Sequence, residues 1–293
     1  MAASFLFSQF ISGLTTAMFL FLIASGLSLV FGVMRVLNFA HGSFYMIGAY
    51  LAWQAVHWLS PLVGAFWVAA LAAALGVALL GGIVERLLLR HLYGRDELYQ
   101  LLLTYALVLI LADAAKFTWG TGQLSVSPPA LLAGSVKLFG TTLPHYNLFI
   151  IVLGPLIAIG GWLALYRTGL GRMMRAAAYD REMLDALGAD VGGLYTTMFV
   201  ASAFLAGLAG ALVSPLESVV PGMDVQIIVQ AFIVVVIGGL GSFWGTFWGS
   251  LIYGEVLAFG ILIVPGFSLF SVFALMAVIL ILRPWGLFGR PIR

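Results

Sequence analysis

The chain contains no cysteine, which excludes disulfides and thiolate metal sites without naming a compartment. Charge is also scarce, at 8% of 293 residues against 63% hydrophobic. It is missing altogether from 1–34, 36–84, 138–166, 191–216, 225–254 and 256–282. The formal net charge of +2 gives no electrostatic footprint for nucleic acid. There is no GxxxxGK phosphate loop ending in Ser or Thr, no HExxH and no GxSxG. His41, His57, His91 and His145 are scattered without metal-ligand spacing. These absences argue against an enzyme, and no metal or cofactor is expected in this chain. The opening MAASFLFSQF lacks a basic n-region, so no cleaved signal peptide is expected.

What is present is apolar length. A bilayer core takes roughly 20 apolar residues per helix, and only helices or closed barrels satisfy the backbone there. The runs are continuous rather than alternating, which selects helices over barrel strands. The expected fold is all-α: a polytopic helical membrane protein with about 8–9 transmembrane segments in a single integral domain over 1–293. Candidate spans are 8–33, 39–58, 62–85, 98–117, 147–166, 195–215, 225–240, 245–263 and 267–283. Two of them, 39–58 and 245–263, open on the glycine-rich polar breaks NFAHGS and GGLGSFWGTFWGS. They are expected to be broken or re-entrant unless they cross fully. The two breaks also echo each other, either as an internal repeat or because small residues are common in packed membrane helices. Segment 118–146, rich in Gly, Pro, Ser and Thr, is expected to be an outer loop.

One segment stands out from the oil. Residues 167–194 carry Arg167, Arg172, Arg175, Asp180, Arg181, Glu182, Asp185 and Asp190, a third of all charged side chains. Their composition predicts a short amphipathic helix over 172–188, with Met174, Ala178 and Arg181 or Glu182 on one face and Gly188 ending it. The helix is either an interfacial anchor or a lever that packs into a cleft on a separate motor subunit. Threading nine crossings puts Arg35, Arg86, Arg90, Arg95, the four loop arginines, Arg283, Arg290 and Arg293 on one side. Only Lys116 and Lys137 lie opposite. The bias predicts a cytoplasmic central loop and C-terminus, with the N-terminus outside.

Four blocks then carry a resemblance: GLSLVFGVMRVLNFAHGSFYMIGAYLAW (26–53), RTGLGRMMRAAAYDREMLDALGAD (167–190), FLAGLAGALVSP with VVIGGLGSFWGTFWGSLIYG (204–215, 235–254) and LILRPWGLFG (280–289). They span nearly the whole chain. The sequence resembles permease subunits of the branched-chain amino acid ABC importer family, of the LivH type. That resemblance implies a multi-pass protein of a bacterial inner (cytoplasmic) membrane, moving branched-chain or other amino acids inward by alternating access. It implies a second permease subunit, usually in a heterodimer, and two cytoplasmic ABC ATPases that hold the ATP and Mg. It also implies an extracytoplasmic substrate-binding protein. The ATPase-coupling helix would comprise Arg172, Arg175, Ala178, Arg181, Glu182, Ala186, Leu187 and Gly188. Many relatives carry an acidic residue after NFAHG, where this chain has Ser43, which bears on substrate identity.

The other class compatible with the composition is a self-sufficient channel or ion-coupled secondary carrier. Its signature would be acidic residues clustered in mid-membrane, and here they are sparse. Asn38, His41, Gly42, Ser43, Gln226, Gln230 and Glu255 are the candidates for a translocation pathway; each either lines it or serves as interhelical packing and hydrogen-bond glue. Glu217 and Asp224 flank Pro221 and Gly222 in an expected outer loop, where they either contact the binding protein or are simply solvated. Asp113 and Lys116, three apart on one helix, are expected to pair. Glu85, beside Arg86, is expected at the membrane interface.

Overall fold

The computed structural model describes residues 2–60, 64–263 and 265–289. Among these lie eleven α-helices: α1 (Ala2–Met34), α2 (Ala40–Leu59), α3 (Ala65–Leu87), α4 (Glu97–Trp119), α5 (His145–Arg167), α6 (Gly169–Tyr179), α7 (Arg181–Ala186), α8 (Val191–Val213), α9 (Met223–Gly238), α10 (Phe243–Ile263) and α11 (Ser268–Leu282). Each expected span has a helix in its place, and the fold is all-helical apart from one short hairpin. Six helices are long and apolar enough to cross a bilayer: Ser4–Met34, Ala65–Leu92, Glu97–Trp119, His145–Arg167, Val191–Val213 and Phe243–Ile263. Met223–Gly238 and Leu269–Leu282 are shorter.

Side-chain caps mark where helices start in polar surroundings. Asp96 accepts from the Leu98 amide at the head of α4, Thr168 from Gly171 at α6, Asp180 from Met183 at α7 and Asp190 from Gly193 at α8. Each satisfies an amide that the helix leaves unpaired. All four starts lie at one end of the bundle, where Arg90 approaches Gly192 and Arg181 lies 5.2 Å over the Tyr195 ring. We call this the arginine-rich end. Arg290 and Arg293 fall outside the described residues. At the opposite end the 118–146 segment is a loop as expected, with an antiparallel hairpin, β1 (Ser135–Leu138) and β2 (Thr141–Pro144). A bridge from Leu124 to Val219 ties that loop to the α8–α9 connection.

The expectation of broken helices needs a correction. Segments 39–58 and 245–263 fall in continuous helices, α2 and α10. The breaks lie just ahead of them, at 35–39 and 239–242. Arg35 takes a left-handed conformation (φ 55°), as do Gly239 and Gly241. A Cβ on Gly32 would lie 2.8 Å from the Gly241 Cα, so the second break packs against the α1 backbone close to the first.

The depth at which α2 starts is the main finding of the fold. His41, in its first turn, bonds the Ile23 carbonyl of α1 at 2.9 Å and faces Ser202 of α8 at 3.4 Å. Ile23 lies eleven residues before the end of α1, and Ser202 eleven residues after the start of α8. At 1.5 Å per residue both are roughly 16 Å from the arginine-rich end. Residues 35–39 therefore carry the chain back into the bundle, and α2 begins about halfway through. It then runs alongside α8, Ala40 to Tyr50 all buried, with Gly48 packed on the Gly207 backbone and Gly210 on the Tyr45 carbonyl. Two glycine-to-backbone contacts of this kind require helices closer than any side chain allows.

Candidate functional site

Two constellations stand out: a charged element at the arginine-rich end and a buried polar cluster at the start of α2.

The expected single helix over 172–188 is two helices, α6 and α7. The chain leaves helical geometry at Asp180 (φ −150°, ψ 102°), whose carboxylate caps Met183 and so starts α7 afresh. Gly188 does terminate α7. Its φ is 84°, its amide bonds the Asp185 carbonyl at 2.9 Å, and the Ala189 amide reaches the Leu184 carbonyl at 3.3 Å. That pair of bonds is the Schellman arrangement. A β-branched residue there is disfavoured by about 1–2 kcal/mol. Gly188→Val is expected to raise hydrogen exchange at amides 184–189 by about 5–30-fold. Unchanged exchange would show that the turn finds another conformation.

The docking face also differs from expectation. Gly171, Met174 and Ala177 are buried against the helical bundle, and Ala178 is half-buried beside them. Ala178 therefore borders the inward face. Arg172, Arg175, Arg181, Glu182, Ala186, Leu187 and Gly188 are exposed. Arg175 is tied back to α5 by the Leu165 carbonyl and lies 4.7 Å over the Tyr166 ring. The outward apolar stripe is Tyr179, Met183 and Leu187, which are 88%, 63% and 77% exposed. Tyr179 closes α6 while Met183 and Leu187 belong to α7, so the break at Asp180 and the inward turn of Met174 leave the face expected from the sequence unformed.

Behind this element lies a network the sequence did not announce. Glu85, expected at an interface, is fully buried. It accepts 2.9 Å and 2.7 Å bonds from Tyr93 and Thr196. Burial and the adjacent Glu85 carboxylate hold the Tyr93 phenol well above its ordinary range, so Tyr93 stays a donor. Tyr93 packs edge-on against Tyr195, which carries Arg181 of α7 on its ring.

The second constellation gathers some of the expected pathway residues and scatters others. Ser43, one turn into α2, donates to Asp224 Oδ2 at 2.9 Å. Asp224 is not in an outer loop. It occupies the first turn of α9 and is 1% exposed. The Pro221–Gly222 turn followed by an acid signals a helix start, but its depth depends on α2, which a linear pattern cannot reveal. Gly42 packs on the same helix: a Cβ there would strike the Asp224 carbonyl and stand 2.9 Å from the Ile228 Cβ. His41 is fully buried between α1 and α8. Asn38 is buried, its Oδ1 without a partner among the described residues. Gln226 and Gln230 lie one turn apart on α9, the first exposed and the second half-buried. Glu255 stands apart at the α1–α10 contact, its carboxylate against Gly13 and both oxygens without a partner among the described residues. Glu217 is exposed in the α8–α9 connection. The Asp113–Lys116 pair forms as expected, at 3.1 Å.

A buried helix start at mid-depth beside a polar cluster, together with a charged surface element, suits a membrane protein that handles a polar solute. The family model described as branched-chain amino acid transport system / permease component matches residues 9–282. The chain belongs to this family. It is 32% identical to the high-affinity branched-chain amino acid transport system permease protein BraD of Pseudomonas aeruginosa, over 97% of this chain and 95% of that protein. It is 28% identical to the corresponding LivH of Escherichia coli strain K12, over 99% and 98%. The probable LivH of Methanocaldococcus jannaschii is 29% identical over 80% of this chain and 75% of its own. No solved structure matches it. The protein is thus a permease component, a multi-pass membrane protein and not itself an enzyme.

Proposed function

We propose that this permease imports amino acids, branched-chain ones foremost, through an assembly with a second permease subunit, two ABC ATPases and an extracytoplasmic binding protein. The arginine-rich end is cytoplasmic, in keeping with the positive-inside bias, and α6–α7 is the element the ATPase grips. The observation that carries this reading is the exposed stripe Tyr179, Met183 and Leu187 on a charged element. Three large apolar side chains exposed on one short charged element suit a groove on a partner. Gln226 and Gln230 add a second open face, on α9. Amide side chains at that depth are poorly suited to lipid, so this face lines the pathway shared with the second permease. Exposed Glu217 lies at the opposite end, where the binding protein docks. ATP and Mg belong to the ATPases.

The test is reconstitution with sidedness. In proteoliposomes the purified permease alone is expected to take up no leucine; uptake requires the ATPases, ATP and loaded binding protein. ATP-independent uptake by the lone chain would establish a self-sufficient carrier. In intact cells, Arg175→Cys is expected to label only from the cytoplasm and Ser127→Cys only from outside. Labelling of the Arg175 position from outside inverts the topology and removes the ATPase from α6–α7.

A further inference from the structure

The pathway reading leaves one group unexplained. Asp224 is 1% exposed, and only one of its oxygens has work: Oδ2 accepts from Ser43, while Oδ1 is buried without a hydrogen-bond partner among the described residues. An ionised carboxylate with a bare oxygen inside a membrane protein is costly, and such groups persist where they serve function. Among the described residues no cation pairs with it; the salt bridge there is Lys116 with Asp113.

Its position is equally specific. Asp224 meets α2 at Ser43, two residues past His41 and therefore close to the depth where α2 begins, roughly 16 Å from the arginine-rich end. Helix α9 starts there too, following Gly222 (φ 94°). Two helices with interrupted starts, one leading toward each membrane face, meet at mid-depth around one carboxylate. Irregular backbone at that depth is tolerated where it borders a substrate route. Gly42 lets the Asp224 backbone close on α2. Tyr50, seven residues beyond Ser43 on α2, has a buried hydroxyl without a hydrogen-bond partner among the described residues. Gln226, two residues on, opens onto the exposed face of α9.

We infer that Asp224 is the permease's recognition group for the primary ammonium of the transported amino acid: Ser43 fixes one carboxylate oxygen, and the other receives the substrate's N–H donors as the solute passes the midpoint. The inference rests on the amino-acid import reading and deepens it. An ammonium carries three donors and one charge, matching one bare anionic oxygen with a hydroxyl nearby.

The experiment uses the complete transporter in proteoliposomes with leucine-loaded binding protein, reading leucine uptake and binding-protein-stimulated ATP hydrolysis together. Asp224→Asn keeps an acceptor for Ser43 and removes only the charge. It is expected to lower uptake at least tenfold while ATP hydrolysis stays within about twofold. Ser43→Ala, which removes the bond and keeps the charge, is expected to lower uptake no more than about threefold. Moving the charge across the 2.9 Å bond, in Ser43→Asp with Asp224→Asn, is expected to restore much of the uptake. Wild-type uptake in Asp224→Asn overturns the inference, as does equal loss in Asp224→Asn and Ser43→Ala. If Asp224→Asn fails to assemble, the double variant decides: restored uptake supports the charge requirement, and an assembled but inactive double variant overturns it. Wild-type uptake that vanishes when choline replaces sodium and potassium assigns the carboxylate to a metal ion and overturns it. A wild-type transporter that hydrolyses ATP but never takes up leucine fails at the import reading, and the inference falls with it.

Discussion

Met183→Asp combined with Leu187→Asp is expected to abolish ATP-driven uptake, by at least a hundredfold, while the permease inserts and packs normally. Both side chains are large, apolar and mostly exposed, so nothing in the permease's own core is lost by replacing them. The neighbouring caps at Asp180 and Gly188 are untouched. The whole effect must therefore appear at whatever covers the stripe. Burying two carboxylates in an apolar groove costs several kcal/mol, and each 1.4 kcal/mol is tenfold in affinity. Purified variant and wild type, each mixed with the ATPase in detergent, give the direct measurement: the wild type retains the ATPase through size exclusion and the double variant does not. Full retention with full uptake would identify the stripe as a lipid-facing anchor, and the coupling assignment of α6–α7 would fail. Ala178→Glu tests something different, because Ala178 borders the buried face and its charge would disturb the permease itself.

Gly42→Ala should be nearly as damaging, by a different route. The added methyl would strike the Asp224 carbonyl and crowd Ile228 at 2.9 Å. Backbone cannot swing aside as a flexible side chain does, so α9 must move off α2 or tilt. Overpacking of this kind costs about 1–3 kcal/mol, and the displacement falls where Ser43 meets Asp224. Uptake is expected to fall at least tenfold with ATPase binding retained. Gly160→Ala is the control, because a Cβ there meets nothing within 4 Å. It should transport like the wild type. Equal transport by Gly42→Ala would show that the α2–α9 contact relaxes at no functional cost.

Much of this architecture was legible before any coordinates. Charge-free runs placed most helix ends within a few residues, and the caps at Asp96 and Asp190 are short acids of the kind found at helix starts. Gly188 was recognisable as a terminator because a glycine after a run of helix formers suits the C′ position, and its φ of 84° is the left-handed conformation that position takes. Inside 167–190 the pattern misled in one respect. Asp180 reads as a mid-helix acid, and only its capping of Met183 shows that it divides α6 from α7. The same local competition between side chain and backbone makes Asp a poor interior residue and a good cap.

The sequence by itself determined the class of protein, the approximate placement of its apolar segments and the one strongly polar element among them. Each follows from transfer free energies that sum along the chain and need no knowledge of neighbours. Tertiary structure alone decided depth and pairing. Glu85 looked interfacial and is fully buried, because Tyr93 and Thr196 converge on it from elsewhere in the chain. Asp224 looked like a loop acid. It lies inside because residues 35–39 double back and deliver Ser43 to mid-depth, 181 positions away in the chain. A buried carboxylate is set by which groups from distant helices arrive beside it, and hydropathy along the chain carries no record of that meeting.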